Sequence, residues 1–280
     1  MKTVTKSDIL FSLKLLDIKE GDVLLMHSAL SSTGNIKGGA ETVIDAFLEA
    51  IGEEGTLAMS TLTGWFKPFD PETSPSAVGL ISEVFRKRPG ALRSLHPVHS
   101  ITALGKEAEY ITKDHDKCET GCGEGTPYLK LHELHGKIVL LGVDNDRDTM
   151  MHSLEEAIDA LYLRTLDIVS PVYCEKDHFT LKKFPPGHRD FLAVTRELRK
   201  KEALIEGKIG MACVKVIDID MLFDIVGEML EKDPLLFICH NENCNSCHWS
   251  RLLYDAPDKI DLDCYAHNHC DDPTCEICVI

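Results

Sequence analysis

Residues 137–161 read KIVLLGVDNDRDTMMHSLEEAIDAL, and the two ends of this stretch call for different structures. Residues 137–143 form an apolar run of strand length, too short to cross a membrane and suited to a buried strand. The polar residues 144–149 follow, and residues 150–161 then read as a helix. A strand that feeds a helix is the repeating unit of layered α/β proteins. The same alternation runs through the rest of the chain. Upstream, residues 6–16 carry Ile9, Leu10, Leu13 and Leu16 at helical spacing, and residues 23–27 form a short buried strand entering a polar loop, 28–39. Val43, Ile44, Phe47, Leu48 and Ile51 share one face of a helix over 41–51. A second strand at 55–59 leads into a Pro-rich loop, 61–75. A helix is expected at 78–85 and a strand at 101–104, and the glycine loop 121–127 precedes a short helix. Downstream come a β-rich segment at 166–184, a charged helix at 190–202, a strand at 211–217 and a helix at 219–230. Strands and helices alternating at this spacing predict an α/β layered domain.

Composition narrows the class. The 280 residues are 44% hydrophobic and 27% charged, an ordinary globular balance that excludes disordered and fibrous chains. No apolar run approaches the roughly 18 residues of a membrane helix. The first residues mix Lys2, Lys6, Asp8 and Lys14 with no secretory apolar core, so a cytoplasmic protein without membrane association is expected. With 30 basic against 46 acidic residues, the net charge of -16 repels nucleic acid and favours a cationic small molecule. The same acidity also serves solubility alone.

Three stretches can carry chemistry. In Thr149-Met150-Met151-His152-Ser153-Leu154-Glu155 the histidine and glutamate are three apart on a helix, which places them on one face. A carboxylate there can accept the proton on one imidazole nitrogen, fix the tautomer and leave the other nitrogen as a general base. The same spacing also describes a solvated surface pair, and as metal ligands the two lack a third donor nearby in sequence. Arg93-Ser94-Leu95-His96-Pro97-Val98-His99-Ser100 joins a cation, two hydroxyls and two histidines around a helix-breaking proline. Such a loop can hold a phosphate through Arg93, Ser94 and backbone N–H groups, or be a polar turn. His27-Ser28-Ala29-Leu30-Ser31-Ser32 ends a strand with donors and hydroxyls at the edge where α/β folds bind ligands. The 121–127 loop lacks the Gly-Lys-Ser/Thr ending of a Walker P-loop.

Further motifs fall into order with these. His27 through Gly34 is followed by Gly38-Gly39-Ala40, Glu53-Glu54-Gly55-Thr56-Leu57 and Glu83-Val84-Phe85-Arg86. Then come the Arg93 to Ser100 stretch, Gly123-Glu124-Gly125-Thr126-Pro127, and Leu141-Gly142-Val143 leading into residues 148–155. Over residues 5–238 the chain resembles the aminoglycoside 3-N-acetyltransferase family. The resemblance implies a layered α/β/α antibiotic N-acetyltransferase fold, distinct from the GNAT fold. It also implies acetyl transfer from acetyl-CoA to an amine of an aminoglycoside-like cationic substrate, with antibiotic resistance, biosynthesis or another role open. By the same resemblance His152 is the catalytic base and Glu155 orients it. His27, Ser28, Ala29, Leu30 and Ser31 line the pantetheine channel, and Arg93 and Ser94 lie near the CoA phosphates. Two departures stand out: Ser153-Leu154 replaces the family's usual Leu-Ala between histidine and glutamate, and the 61–75 loop finds no match. Substrate contacts are expected in that loop, so the acceptor remains open, a non-antibiotic amine included.

Residues 239–280 have another character. They hold 7 of the chain's 11 cysteines: Cys239, Cys244, Cys247, Cys264, Cys270, Cys275 and Cys278. His240, His248, His267 and His269 accompany them. Cys244-x-x-Cys247 and Cys275-x-x-Cys278 have zinc-ligand spacing, and a reducing compartment favours metal over disulfides. The expected ligands are Cys239, Cys244, Cys247, His248, Cys264, His269, Cys270, Cys275 and Cys278, serving one zinc, two or none. The chain thus divides into an acetyltransferase domain, 1–238, and a Cys/His-rich tail, 239–280. Two other functions fit the sequence: a CoA-binding or scaffold protein that keeps the fold without turnover, and a zinc hydrolase working through the tail. An intact His152/Glu155 pair counts against the first, and enough ligands to close a tetrahedron against the second.

Overall fold

In a computed structural model, which describes residues 3–63, 69–168, 179–184, 188–241 and 243–255, the apolar run beginning at Lys137 is an inner strand of a seven-stranded sheet. The strands in chain order are β1 (Val23–Ser28), β2 (Thr56–Ser60), β3 (Leu92–Arg93), β4 (Ile101–Gly105), β5 (Lys137–Leu141), β6 (Arg164–Ile168), β7 (Phe179–Phe184), β8 (Leu204–Ile209) and β9 (Ala212–Asp218). The sheet runs β3-β4-β2-β1-β5-β9-β8, while β6 and β7 pair separately. At its centre β1 is parallel to both β2 and β5, with Leu25 opposite Ala58 on one side and Ile138 on the other. The outer pairings, β2 with β4, β3 with β4, β5 with β9 and β8 with β9, are antiparallel.

The two-residue period of the strands divides the core in two. Leu24, Met26, Leu57, Met59, Val139 and Leu141 face one layer of helices: α1 (Lys6–Leu15), α2 (Gly39–Ile51) and α3 (Leu80–Phe85). Val23, Leu25, Ala58, Ile138 and Leu140 face the other. That second layer holds α4 (Ala108–Thr112), α5 (Pro127–Glu133), α6 (Met151–Ala157), α7 (Thr195–Lys200) and α8 (Ile219–Lys232). Because both faces are covered, the inner strands need apolar residues at every position, which is why β5 has no polar alternation. Each fully buried Leu, Ile or Phe contributes about 1.5–3 kcal/mol of transfer free energy. The layered α/β/α arrangement expected from the sequence is the one observed.

Some local features differ from the sequence reading. The helix expected over 150–161 ends at Ala157: Asp159 takes a left-handed φ of 52°, and the N–H groups of Asp159 and Ala160 return to the carbonyls of Glu156 and Glu155. This is a Schellman close with aspartate where glycine is usual. The helix expected over 190–202 begins as a 3-10 turn, Phe191–Val194, before α7. Finally, β8 has no counterpart in the sequence reading, because an edge strand reading LIEGKI is exposed at Ile205, Glu206 and Lys208 and carries no run of apolar residues. After α8 the chain turns into α9 (Asn245–Asp255), whose Cys247 packs with Ala160, Tyr162 and Ile238. Among the described residues no helix is long and apolar enough to cross a membrane.

Candidate active site

Because β1, β2 and β5 run parallel, their carboxyl ends share one edge of the sheet, and a cavity of about 960 Å³ opens there. This is the edge where α/β folds bind ligands. His27, Ser28, Ala29, Leu30 and Ser31 line it from the exit of β1, with Ser60 at the end of β2. Past β1 the chain is tied to β5 by the Ala29 N–H, which donates to the Leu141 carbonyl at 2.9 Å. It then enters a 3-10 turn, Leu30–Thr33. The hydroxyls of Ser32 and Thr33 donate to the carbonyls of Ala29 and Leu30 at 2.6 and 2.7 Å, closing the turn. Ser28 and Ser31, both hydroxyl-bearing residues, border the cavity. The turn packs on Gly142, whose φ is +68° and where a Cβ would overlap the Ser32 hydroxyl; only glycine satisfies both demands.

On the opposite wall α6 presents His152. Its Nδ1 lies 2.6 Å from Glu155 Oε2, the i, i+3 contact expected from the sequence, and its side chain is 19% exposed beside a fully buried carboxylate. Phe191 packs edge-on to the imidazole, with ring centroids 5.0 Å apart. Burial pushes the Glu155 pKa up, but the Arg189 charge and the His152 hydrogen bond outweigh it and hold the carboxyl below its ordinary value. The glutamate is therefore ionised at neutral pH and accepts from Nδ1–H, which leaves the lone pair on Nε2. Arg189 reaches the other carboxylate oxygen through Nε, and its guanidinium lies over the Tyr162 ring, 4.7 Å from the centroid. Its Nη1 donates to the carbonyl of His188 at 2.9 Å.

A second imidazole–carboxylate contact lies at the mouth of β1. His27 Nε2 is 3.4 Å from Asp148 Oδ1, which accepts from the Met150 N–H at 3.0 Å. Among the described residues His27 Nε2 and Asp148 Oδ2 are buried without a hydrogen-bond partner, and both residues line the cavity. Behind His152 stand three further histidines. His99 lies 6.4 Å from it between ring centroids, and His96 stacks on His115 at 4.4 Å. Burial lowers His99 and His115 to about 3 and His96 well below the usual imidazole value, so all three are neutral near pH 7. They serve as scaffold. His96 Nδ1 accepts from the N–H groups of Val98 and His99, and His115 joins the Ser94 hydroxyl to the carbonyl of Gly121.

Arg93 and Ser94, expected near the CoA phosphates, bond within the protein. Arg93 donates to the carbonyls of Thr61, Ser74 and Pro71 at 2.5, 2.6 and 3.3 Å and to Ser100 Oγ at 3.2 Å, and it lies over Phe69. All of its donor nitrogens have protein acceptors. Ser94 is buried, bonded to His115 Nδ1 and to the Ile101 N–H. Neither residue lines the cavity. Arg93 braces the loop that follows β2, whose Leu62 and Ala77 do line it.

Away from the cavity, Cys239, Cys244 and Cys247 converge with His188, all four donor atoms lying within 4.8 Å of one another. The histidine in this group is not the expected His248. Helical geometry turns successive residues by about 100°, so the neighbour of Cys247 does not share its face. Cys264, His269, Cys270, Cys275 and Cys278 lie outside the described residues. Sequence reasoning misses Arg189 and His188 as well. Both follow a segment with no motif, and each gains its partner only through the fold.

Residues 25–231 match the family model described as aminoglycoside 3-N-acetyltransferase. The chain is 31% identical over 245 residues to aminoglycoside N(3)-acetyltransferase IV of Salmonella sp., an alignment spanning 83% of this chain and 90% of that protein. Among solved structures it resembles aminoglycoside acetyltransferase AAC(3)-IVa, in the form of a histidine-to-alanine mutant in complex with a gentamicin. The TM-score is 0.83 at 29% identity, covering 90% of this chain and 98% of that one. It also resembles AAC-IIIb in its binary complex with CoASH, with a TM-score of 0.76 at 26% identity, covering 82% and 97% of the two chains.

Proposed function

Because the chain belongs to the aminoglycoside 3-N-acetyltransferase family, a family of acyltransferases, we propose that it acetylates an amine of an aminoglycoside-like polycation at the expense of acetyl-CoA, with His152 as general base. The observation that carries this reading is the 2.6 Å His152–Glu155 hydrogen bond on the wall of the cavity at the carboxyl edge of the sheet. The CoASH held by AAC-IIIb and the gentamicin held by AAC(3)-IVa support the two substrate classes. The net charge of -16 suits a polycationic acceptor.

The acceptor amine, with a reference pKa of about 10.4, is mostly ammonium at neutral pH and gives that first proton to solvent before its neutral form attacks. Asp148, buried and bordering the cavity, supplies negative charge to hold it. His152 Nε2 takes a proton from the attacking nitrogen as the C–N bond forms at the thioester carbonyl. The resulting imidazolium is stabilised by Glu155 through Nδ1–H, and Arg189 keeps Glu155 ionised and in place. The developing oxyanion is met by donors of the turn after β1, where Ser28 and Ser31 line the cavity. The C–S bond then breaks, the carbonyl re-forms, and CoA leaves as a thiolate that is protonated from His152 or water. His27, Ser28, Ala29, Leu30 and Ser31 border the pantetheine arm, while Arg93 acts on the site through the loop after β2 that it braces.

The cysteine-rich segment, 239–280, is read as a zinc-holding tail of structural rather than catalytic use, attached to an acetyltransferase domain over 1–238. The reading is of a cytoplasmic enzyme that meets neither nucleic acid nor membrane. A thiol-release assay with acetyl-CoA tests the reaction against a panel of aminoglycosides and simple polyamines. Turnover with an aminoglycoside, and an N-acetyl product by mass, is expected. Acetyl-CoA binding with no turnover on any amine would favour instead a protein that keeps the fold for binding.

A further inference from the structure

The cluster formed by His188, Cys239, Cys244 and Cys247 draws on two parts of the chain about fifty residues apart. His188 follows the β6–β7 region, Cys239 follows α8, and Cys244 and Cys247 belong to the turn that starts α9. Its dimensions can be compared with those of a zinc tetrahedron. With Zn–S of about 2.3 Å and Zn–N of about 2.0–2.1 Å, tetrahedral angles set sulfur–nitrogen edges at about 3.6 Å and sulfur–sulfur edges at about 3.8 Å. The sulfur–nitrogen separations are 3.4 Å from His188 Nδ1 to Cys247 Sγ and 3.8 Å to Cys244 Sγ. A disulfide would consume two of the three thiols and strand the third with the imidazole. One ion satisfies all four donors.

The cluster also touches the catalytic apparatus. Cys247 shares a buried cluster with Tyr162, the ring that lies beneath the Arg189 guanidinium. Arg189 directly follows His188, donates to its carbonyl at 2.9 Å, and holds Glu155 through Nε. The next turn of α9 places Ser250 Oγ 3.5 Å from Arg189 Nη1, and Arg251 donates to the carbonyl of Cys239.

We infer that His188, Cys239, Cys244 and Cys247 bind one zinc ion in a closed, four-ligand site, and that this site clamps the His188-Arg189 dipeptide so that Arg189 holds Glu155 against His152. Binding replaces three thiol protons with the metal, so three protons leave for each Zn2+ taken up, and four protein ligands leave no open position for a substrate. Arg189 is thereby a positioning residue that acts on the base through Glu155. The metal content is independent of the acetyl-transfer reading; the link to Arg189 rests on it.

Elemental analysis of the full chain, purified under reducing conditions without added metal, decides the site. At least one zinc per chain is expected, and Cys244→Ser, Cys247→Ser and His188→Ala should each lose one equivalent. The fourfold variant Cys264→Ser, Cys270→Ser, Cys275→Ser and Cys278→Ser should keep one. A metal-free wild type, or zinc lost wholly in the fourfold variant, overturns the assignment. Since a ligand variant can fail to fold, the fourfold variant is also stripped with a chelator and reloaded with Co2+. Thiolate-to-cobalt charge transfer and d–d bands of tetrahedral intensity are expected, and an octahedral or featureless spectrum overturns the site. For the link, stripped and reloaded protein are compared in acetyl transfer across pH. Stripping should cut kcat by roughly tenfold, part of the 10²–10⁴-fold that a positioned base supplies, and should change the pH profile, with recovery on adding zinc. If kcat and the profile are the same with and without metal, the link to Arg189 fails while the zinc content still stands on its own measurement.

Discussion

Replacing Glu155 by glutamine should separate the base from the group that orients it. In the native site one carboxylate oxygen accepts from His152 Nδ1 at 2.6 Å and the other from Arg189 Nε. An amide has a single oxygen for these two donors. Arg189 is permanently charged, so the amide oxygen turns to it and the NH2 group faces His152. The imidazole must then accept at Nδ1, which moves its proton to Nε2, the nitrogen that has to be bare to take a proton from the amine. A wrong tautomer of this kind costs about 10⁴-fold in Ser-His-Asp enzymes, and a general base supplies about 10²–10⁴-fold, so kcat should fall by about 10²–10⁴. The acetyl-CoA KM should stay near its native value, because Glu155 is fully buried and is not among the residues lining the cavity. Stability should drop by about 1–3 kcal/mol, since Arg189 loses a charged acceptor but keeps a neutral one. The assay is thiol release under saturating acetyl-CoA, with far-UV circular dichroism to verify folding. A folded variant with kcat within about threefold of the native value would refute the orienting role, because such a change is far below what a misoriented base costs.

Three other outcomes follow from the same geometry. His96, His99 and His115 are held neutral by burial, His99 and His115 at about 3, while in the unfolded chain they titrate near the ordinary imidazole value. The unfolded state therefore binds more protons below about pH 6.5, and stability should be level above that pH and fall by up to about 1.4 kcal/mol per histidine per pH unit below it. Thermal melts from pH 8 to pH 5 check this, and a flat profile down to the carboxylate range would contradict it. Gly142→Ala should cost at least the roughly 1–2 kcal/mol of a left-handed residue and, by displacing the turn at Ser32, raise the acetyl-CoA KM; an unchanged melt and KM would show that the turn is not held this way. Arg93→Ala should raise the acceptor KM by loosening the loop after β2 and leave the acetyl-CoA KM alone, whereas a selective loss of acetyl-CoA affinity would return Arg93 to the phosphates.

Much of this architecture is legible in the sequence because burial on two faces leaves a plain mark: β5 and the neighbouring inner strands are short apolar runs, and α2 shows its buried face in Val43, Ile44, Phe47 and Ile51. The His152–Glu155 pair is legible for the same local reason, since three residues along a helix is a spatial rule as well as a sequence spacing. What escapes is whatever depends on folding. Asp159 ends α6 in a conformation that glycine would have announced. The edge strand β8 meets solvent at Ile205, Glu206 and Lys208 and so lacks an apolar signature. Arg93 looks like an anion-binding residue beside Ser94 and His96, yet three backbone carbonyls from the loop after β2 claim it. His188 and Arg189 reach Cys247 and Glu155 across 59 and 34 residues of chain. No periodicity links such positions.

In the proposed reaction His152 Nε2 removes the proton from an acceptor amine as acetyl-CoA is attacked. The most direct measurement compares thiol release by the native protein and by His152→Ala with an aminoglycoside acceptor, alongside calorimetric titration of both with CoA. Release by the native protein, essentially none by the variant, and CoA affinities that agree within about twofold are expected, since His152 supplies a base rather than a binding contact. Native-like turnover by His152→Ala would contradict it.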